Sequence, residues 1–334
     1  MSVSFLDAIA TAYALIKKNT YMLLLWPSAN GSNNKFNDVL LKYGSVVYQK
    51  DVFLTDTGKV RLVSEVYKNE NWVGSKKDGF SGARNKARWC FSENGPLKVF
   101  LFESDGDLIK MKDEIRSLYN IDKHAIHIND TQEETIDLTG LLFNENSINW
   151  LNYAAIRSFS WYNRLFKHYS EWLDELASNS DYFCIDGSTV LAAYGIREAR
   201  DLDYFYFGKN TISSGFKEIG CHNNEIQHHK KSIDDIIFNP ENHFRINNLK
   251  FISLKLINEM KIARNESKDV KDVLLIKRLL SNEENIIPIL ERIKQYVNIA
   301  YLKSRIKFIF LKIRYFYTKH KFFSYGPFIC KIIF

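Results

Sequence analysis

The chain predicts a mixed α/β or α+β protein, and three observations carry that expectation. Short runs of strand-forming residues alternate with helix-period segments, "TYMLLLWP", "GSVVYQKDVFL", "PLKVFLFES" and "KHAIHI" among them. Only 15 Gly and 5 Pro occur in 334 residues, too few for a collagen-like or low-complexity chain. The balance of 46% hydrophobic and 25% charged residues is that of a globular protein with a sizeable core. A chain of this length has room for two domains.

The elements fall into three regions: residues 1–150, 151–291 and 292–334. The first carries the four strand-like runs with helical segments between them. Residues 148–178, "INWLNYAAIRSFSWYNRLFKHYSEWLDELAS", read as one or two amphipathic helices whose aromatics face a core. A second α/β unit follows from Tyr182 to about Leu280, and no Pro-, Gly- or Ser-rich linker marks the boundary near 150. The third region is a basic tail.

The net charge of +7 belongs to that tail. From Arg292 onward there are ten Lys/Arg and no Asp/Glu, so the other 291 residues carry a net −3 and give no electrostatic argument for nucleic acid as a partner. Within the tail, Leu302, Ile306, Ile309, Phe310, Ile313 and Phe316 form a helical stripe flanked by Lys303, Lys307, Lys312 and Arg314. A basic amphipathic helix of this kind suits an anionic membrane surface, where each cation adds about 1 kcal/mol. The alternative is a helix docked on the protein's own body.

No apolar run reaches the roughly 18–20 residues that span a bilayer. The N-terminal segment lacks the basic start, apolar core and cleavage site of a secretory leader. The cysteines, Cys90, Cys184, Cys221 and Cys330, are scattered without a C-x-x-C pair, as expected of idle thiols in a reducing cytoplasm. The expected location is therefore cytoplasmic, with the tail against the inner face of a membrane.

Residues 182–207, "YFCIDGSTVLAAYGIREARDLDYFYF", carry the most chemistry. A short apolar strand ends at Gly187-Ser188, a helix-forming segment runs to Gly195, and a second strand opens with Asp201 and Asp203. Two residues apart on a strand, those carboxylates share a face and need a counter-charge. Backbone amides and the Ser188 hydroxyl at the turn suit phosphate oxygens, and paired carboxylates suit Mg²⁺.

Those residues resemble the signature of polymerase-β-like nucleotidyltransferases: hydrophobic–Gly–Ser, a twelve-residue spacer, then Asp–hydrophobic–Asp. Downstream, "LKFISLKLINEMKIARNESKDVKDVLLIKRLL" is similar to the strand and two helices that follow in minimal members. The resemblance covers Tyr182 to Leu280. It implies a mixed-sheet nucleotidyltransferase-fold domain, two Mg²⁺ ions held through Asp201 and Asp203, an NTP on Gly187, Ser188 and Lys261, and in-line attack at phosphorus. Family members carry a third carboxylate on a later strand; no such strand reads clearly here. Asp235, Asp234 and Glu225 are the candidates, with a capped helical turn as the plain reading of "IDDIIF". Of His222, His228, His229 and His243, a solvated or substrate-lining cluster is expected in preference to zinc. For Lys261, a solvated helix lysine is the equal alternative.

In the first region, His127 lies at the end of an alternating strand, with Ile115 and Arg116 upstream. The block resembles nucleoside diphosphate kinase, with Arg116, His127 and Asp130 at matching positions and "SENGPLKVFLFE" and "LLLWPSANG" in the places of two further family segments. That implies a ferredoxin-like sandwich, a phosphate contact from Arg116 and a phosphohistidine at His127. Trp26 stands where the family has a phosphate-binding Lys, Ser28 where it has Asp, and His124 where it has Asn, which puts turnover in doubt.

Together these features predict a Mg²⁺-dependent nucleotidyl- or phosphoryl-transferase moving a group from an NTP to a hydroxyl or phosphate acceptor. A cell-surface polysaccharide or lipid-linked precursor is the acceptor suggested by analogy. Two other readings stand beside it: a nucleotidyltransferase-type toxin or defence protein modifying RNA or protein, and a non-catalytic nucleotide-binding scaffold.

Overall fold

A computed structural model describes residues 3–29, 34–155, 160–176, 180–208, 212–247 and 249–280. The amphipathic tail and Cys330 lie outside the described residues. The chain is mixed α/β with two sheets.

Helix α1 (Val3–Ile16) leads into β1 (Thr20–Leu25), followed by α2 (Asn34–Tyr43) and β2 (Ser45–Val52). Two helices, α3 (Asp56–Val66) and α4 (Ser81–Cys90), precede β3 (Leu97–Glu103), and α5 (Leu108–Tyr119) precedes β4 (Ile126–Ile128). The four strands are antiparallel in the order β2-β3-β1-β4. All four strand-like runs of the sequence are strands. "TYMLLL" is apolar almost throughout because β1 is central and covered on both faces. Met22, Leu24 and Trp26 enter one core while Leu23 and Leu25 enter the other, where Phe36 and Leu40 of α2 meet Met111 and Ile115 of α5.

Helices α6 (Gln132–Leu142) and α7 (Glu145–Tyr153) then carry the chain across to the second sheet. Both start where the sequence offers a cap: Thr131 accepts from the amide of Glu134, and Asn144 from that of Ser147. After α8 (Ser160–Glu175) come β5 (Phe183–Asp186), the short α9 (Ser188–Ala193), β6 (Leu202–Tyr206), β7 (Ile219–Cys221) and α10 (Ile233–Phe238). The hairpin of β8 (His243–Ile246) and β9 (Leu249–Ile252) and the helices α11 (Leu254–Arg264) and α12 (Ser267–Leu280) complete the described chain. The second sheet is mixed, in the order β7-β6-β5-β9-β8, with β5 antiparallel to β6 and parallel to β9.

One apolar core runs from the outer face of the first sheet, through Leu138 and Leu142 of α6 and Leu151 of α7, to Ile185, Tyr204 and Phe251 of the second sheet. Residues 1–280 are accordingly a single compact unit, which is why no linker composition appears near residue 150. Among the described residues no helix is long and apolar enough to cross a membrane. Cys90, Cys184 and Cys221 are free thiols, the first two buried.

Candidate functional site

Asp186 is the last residue of β5, and antiparallel pairing sets it directly opposite Asp203 on β6. Cross-strand partners share a face, so the two carboxylates confront each other. Gly187 turns the chain away at φ +67, and a Cβ there would come within 2.7 Å of Asp203 Oδ2. The Ser188 hydroxyl lies 3.3 Å from Asp201 Oδ1, and Thr189 Oγ1 donates to the Asp201 carbonyl at 2.9 Å. Asp186, Asp201 and Asp203 thus gather around the Gly187-Ser188 turn. Helix α9 has only six residues, so the helix dipole adds little there and the turn itself is the polar feature.

The counter-charge comes from histidine. Nε2 of His222 lies 3.0 Å from Asp203 Oδ1 and its Nδ1 3.9 Å from Asp186 Oδ2, while His229 Nε2 stands 3.5 Å from Asp186 Oδ1. The bonds to Asp186 and Asp203 push the His222 imidazole up to about 10, so it is an imidazolium at neutral pH. Burial alone would raise Asp186, but the hydrogen bonds from His222 and His229 outweigh it and hold the carboxyl well below the usual range. Burial raises Asp203 in spite of His222.

Among the described residues no set of three or more His, Cys, Asp or Glu side chains stands arranged to hold a metal ion. The donor chemistry nonetheless suits a hard divalent cation. Three carboxylates lie about the turn, and Asp186 is buried there with its Oδ1 3.5 Å from the His229 imidazole. As the chain stands, the imidazolium fills the role that a cation would take.

The other predicted residues of this lobe lie elsewhere. Asp235 sits on α10, accepting from Asn239 at 3.0 Å and pairing with Lys231 at 3.0 Å, in a helical turn whose N-cap residue Ser232 makes no side-chain cap bond. Glu225 pairs with His228 at 3.2 Å. Lys261 is not presented to a phosphate. Its side chain is 3% exposed and its Nζ lies 2.9 Å from both Asp269 and Asp272, which Arg264 and Arg197 also bind. Lys261, Arg264, Asp269 and Asp272 of the downstream block form one ion cluster that ties α11 to α12, while Lys268 is exposed and pairs with Glu266. His243 is buried too, its Nδ1 3.0 Å from the Ile236 carbonyl, and desolvation pushes it down to about 3.

His127 lies on β4, in the wall of a cavity of about 800 Å³. Lys86, Lys112, Arg116 and Lys123 supply cations to this cavity, and Trp72 and Trp89 supply aromatic surface. Tyr67 stands edge-on to the His127 ring at 5.0 Å. Burial, reinforced by Lys112, pushes the imidazole down to about 3, so it is neutral with a lone pair available. Arg116 reaches the same cavity, and its buried Nε has no hydrogen-bond partner among the described residues. Asp130 pairs with Lys112 at 2.7 Å. Trp26 is fully buried in the core and offers nothing to a phosphate, while Ser28 donates to the His124 carbonyl at 2.6 Å.

No family model, curated protein or solved structure matches this chain. The resemblances therefore rest on its own residues.

The sequence assigns Asp186 no role, and it groups His222 and His229 with His228 and His243, which the fold places elsewhere. Asp186 hid as the end of the strand "YFCI", although a carboxylate next to the turn glycine was a visible signal. The roles of His222 and His229 depend on the intervening 3-10 turn Asn223–His228, which brings both imidazoles back to Asp186. A strand reading of those residues would have sent His228 and His229 to opposite faces.

Proposed function

We propose that the protein is a nucleotidyl- or phosphoryl-transferase that uses an NTP, with the transfer site at Asp186, Asp201 and Asp203. The gathering of three carboxylates around the positive-φ turn at Gly187 carries this reading. Asp201 and Asp203 hold Mg²⁺, which supplies charge neutralisation to the triphosphate when bound. Ser188 contacts a phosphate oxygen, and Asp186, directly opposite Asp203 across the strand pair, is the carboxylate best placed to complete the set. His222 keeps the acids compensated between turnovers. The acceptor is a hydroxyl or phosphate group, and the basic tail favours one presented at an anionic membrane surface. The full chain with Mg²⁺ and each of four labelled NTPs provides the test: pyrophosphate release or label transfer is expected and is lost in Asp203→Asn. Absence of any nucleotide affinity in calorimetry would remove the reading.

A second reading concerns the first sheet. Its antiparallel order β2-β3-β1-β4, with α2 and α5 on one face, is the order of a ferredoxin-like sandwich and supports the nucleoside-diphosphate-kinase resemblance. A neutral imidazole facing Lys86, Lys112 and Arg116 has the chemistry of a phosphoryl acceptor, since the cations stabilise the transferred oxygens. An acid-labile, base-stable phosphate formed from ATP and lost in His127→Ala is the expected sign. Its absence would leave the cavity as a binding site only.

A further inference from the structure

The cavity that holds His127 is not built by the first sheet alone. Arg245, Ile246 and Asn247, at the end of β8 in the second sheet, form part of its lining. Helix α6 lies between the two contributions and makes room for the arginine: a Cβ on Gly140 would approach Arg245 Cδ to 2.7 Å. The position is fixed from behind, because the Arg245 amide donates to Ser147 Oγ at 2.9 Å and Ser147 in turn donates to the Gly140 carbonyl at 2.9 Å. On the cavity rim, Lys68 bridges the lobes, binding Asp137 at 2.7 Å with Asn247 Oδ1 at 3.4 Å.

Arg245 also faces the transfer site's own strand. Its Nη2 donates to Asp181 Oδ1 at 2.5 Å, and Lys250 Nζ donates to the Asp181 carbonyl at 2.6 Å. Asp181 lies in the 3-10 turn Ser180–Tyr182 that leads into β5, whose last residue is Asp186. The same strand is reached a second way, since β8 pairs with β9 and β9 with β5 through Ile185 and Phe251. A guanidinium carries five N–H donors in a fork, and the bond to Asp181 engages one nitrogen. A group so placed can serve an anion in the cavity and the carboxylate under β5 together.

We propose that the cavity binds a nucleoside phosphate across both lobes, that Arg245 supplies an anion contact from the second sheet, and that filling the cavity is thereby linked to the strand bearing Asp186. The proposal rests on the nucleotide reading of the cavity but needs no phosphoryl transfer to His127. The volume of about 800 Å³, the aromatic walls of Trp72 and Trp89 and the cations on both sides suit a ligand with a flat ring and a phosphate tail. Linkage is reciprocal: a ligand that draws on Arg245 alters the hold on Asp181, and changes at β5 alter affinity for the ligand.

The test is ADP binding to the full chain, followed by calorimetry and by amide hydrogen exchange. Saturable binding is expected, weakened about tenfold in Arg245→Ala, the loss of one charge-assisted contact, and partly restored in Arg245→Lys. ADP should slow exchange in residues 243–252 and 183–186 as well as around β4 and α5. Unchanged ADP affinity in a folded Arg245→Ala chain would overturn the proposal, as would protection confined to the first sheet. The exchange measurement uses the unaltered protein and decides the matter even if Arg245→Ala fails to fold. A missing phosphohistidine with ADP still bound removes only the second reading above; loss of all ADP binding removes the cavity reading and this proposal together.

Discussion

His222 Nε2 lies 3.0 Å from Asp203 Oδ1, and the same ring reaches toward Asp186 on its other side. The imidazolium is the counter-ion of two facing carboxylates, so a divalent cation binding there would compete with His222 for that role. Replacing His222 with Ala leaves the acids uncompensated, at a cost of about 1–3 kcal/mol in metal-free buffer. Adding Mg²⁺ should then raise the melting temperature of His222→Ala more than that of the unaltered protein. Equal responses to Mg²⁺ would show that no cation enters between these residues.

Gly187 permits the close approach on which the cluster depends. At φ +67 an L-residue is strained, and a Cβ would meet Asp203 Oδ2 at 2.7 Å. Gly187→Ala should lose about 1–3 kcal/mol in denaturant unfolding. A change below about 0.5 kcal/mol, within the range of an ordinary surface substitution, would contradict the strain argument.

Lys261 separates structure from ligand contact. Its buried ammonium bridges Asp269 and Asp272, so Lys261→Met leaves each with only its arginine partner and should cost about 1–3 kcal/mol. Nucleotide affinity, measured well below the midpoint of unfolding, should change little. A large loss of affinity with stability intact would return Lys261 to the binding site.

Acid should destabilise the chain through two histidines whose charged form the fold disfavours, His243 in the core and His127 in the cavity wall. His127 and His243 are held at about 3 when folded, against about 6.5 when unfolded. The unfolded chain therefore binds more protons between these values. Their contribution is complete above pH of about 6.5 and declines as pH falls toward about 3. His222 works in the opposite direction and in another window: raised to about 10, its contribution is complete below pH of about 6.5 and fades as pH rises through about 10. Burial also raises Asp7, Glu65 and Asp203, which offsets part of the acid loss. The clean measurement is a difference. Between pH 6.5 and 4.5 the stability of His127→Gln should fall less steeply than that of the unaltered protein; parallel curves would mean that His127 protonates freely when folded.

Local features were legible in the sequence because local physics sets them. The β-formers of "LDYFYF", the glycine at the turn and the cap residues Thr131, Asn144 and Ser253 all act within a few residues of themselves. The motif at Gly187-Ser188 and Asp201 through Asp203 likewise comes together in space. What stayed hidden depends on register and on burial. The pairing of Asp186 with Asp203 needs two strands aligned across a helix, and no spacing rule fixes that alignment. Lys261 looked available because its helix reads as amphipathic, whereas the two aspartates that bury it lie on the next helix. Arg245 looked like an ordinary strand residue, since its role depends on α6 from the other lobe.

Arg61 gives the joint between the two sheets a further meaning. Its buried guanidinium on α3 donates to the carbonyls of Trp150, Leu151 and Ala154 at the end of α7. Trp150 in turn reaches forward, its indole N–H donating to the Ala193 carbonyl at 2.9 Å. A chain severed near residue 150 would strip Arg61 of these acceptors in one fragment and open an apolar seam in the other. The two sheets share one core and are expected to unfold as one unit.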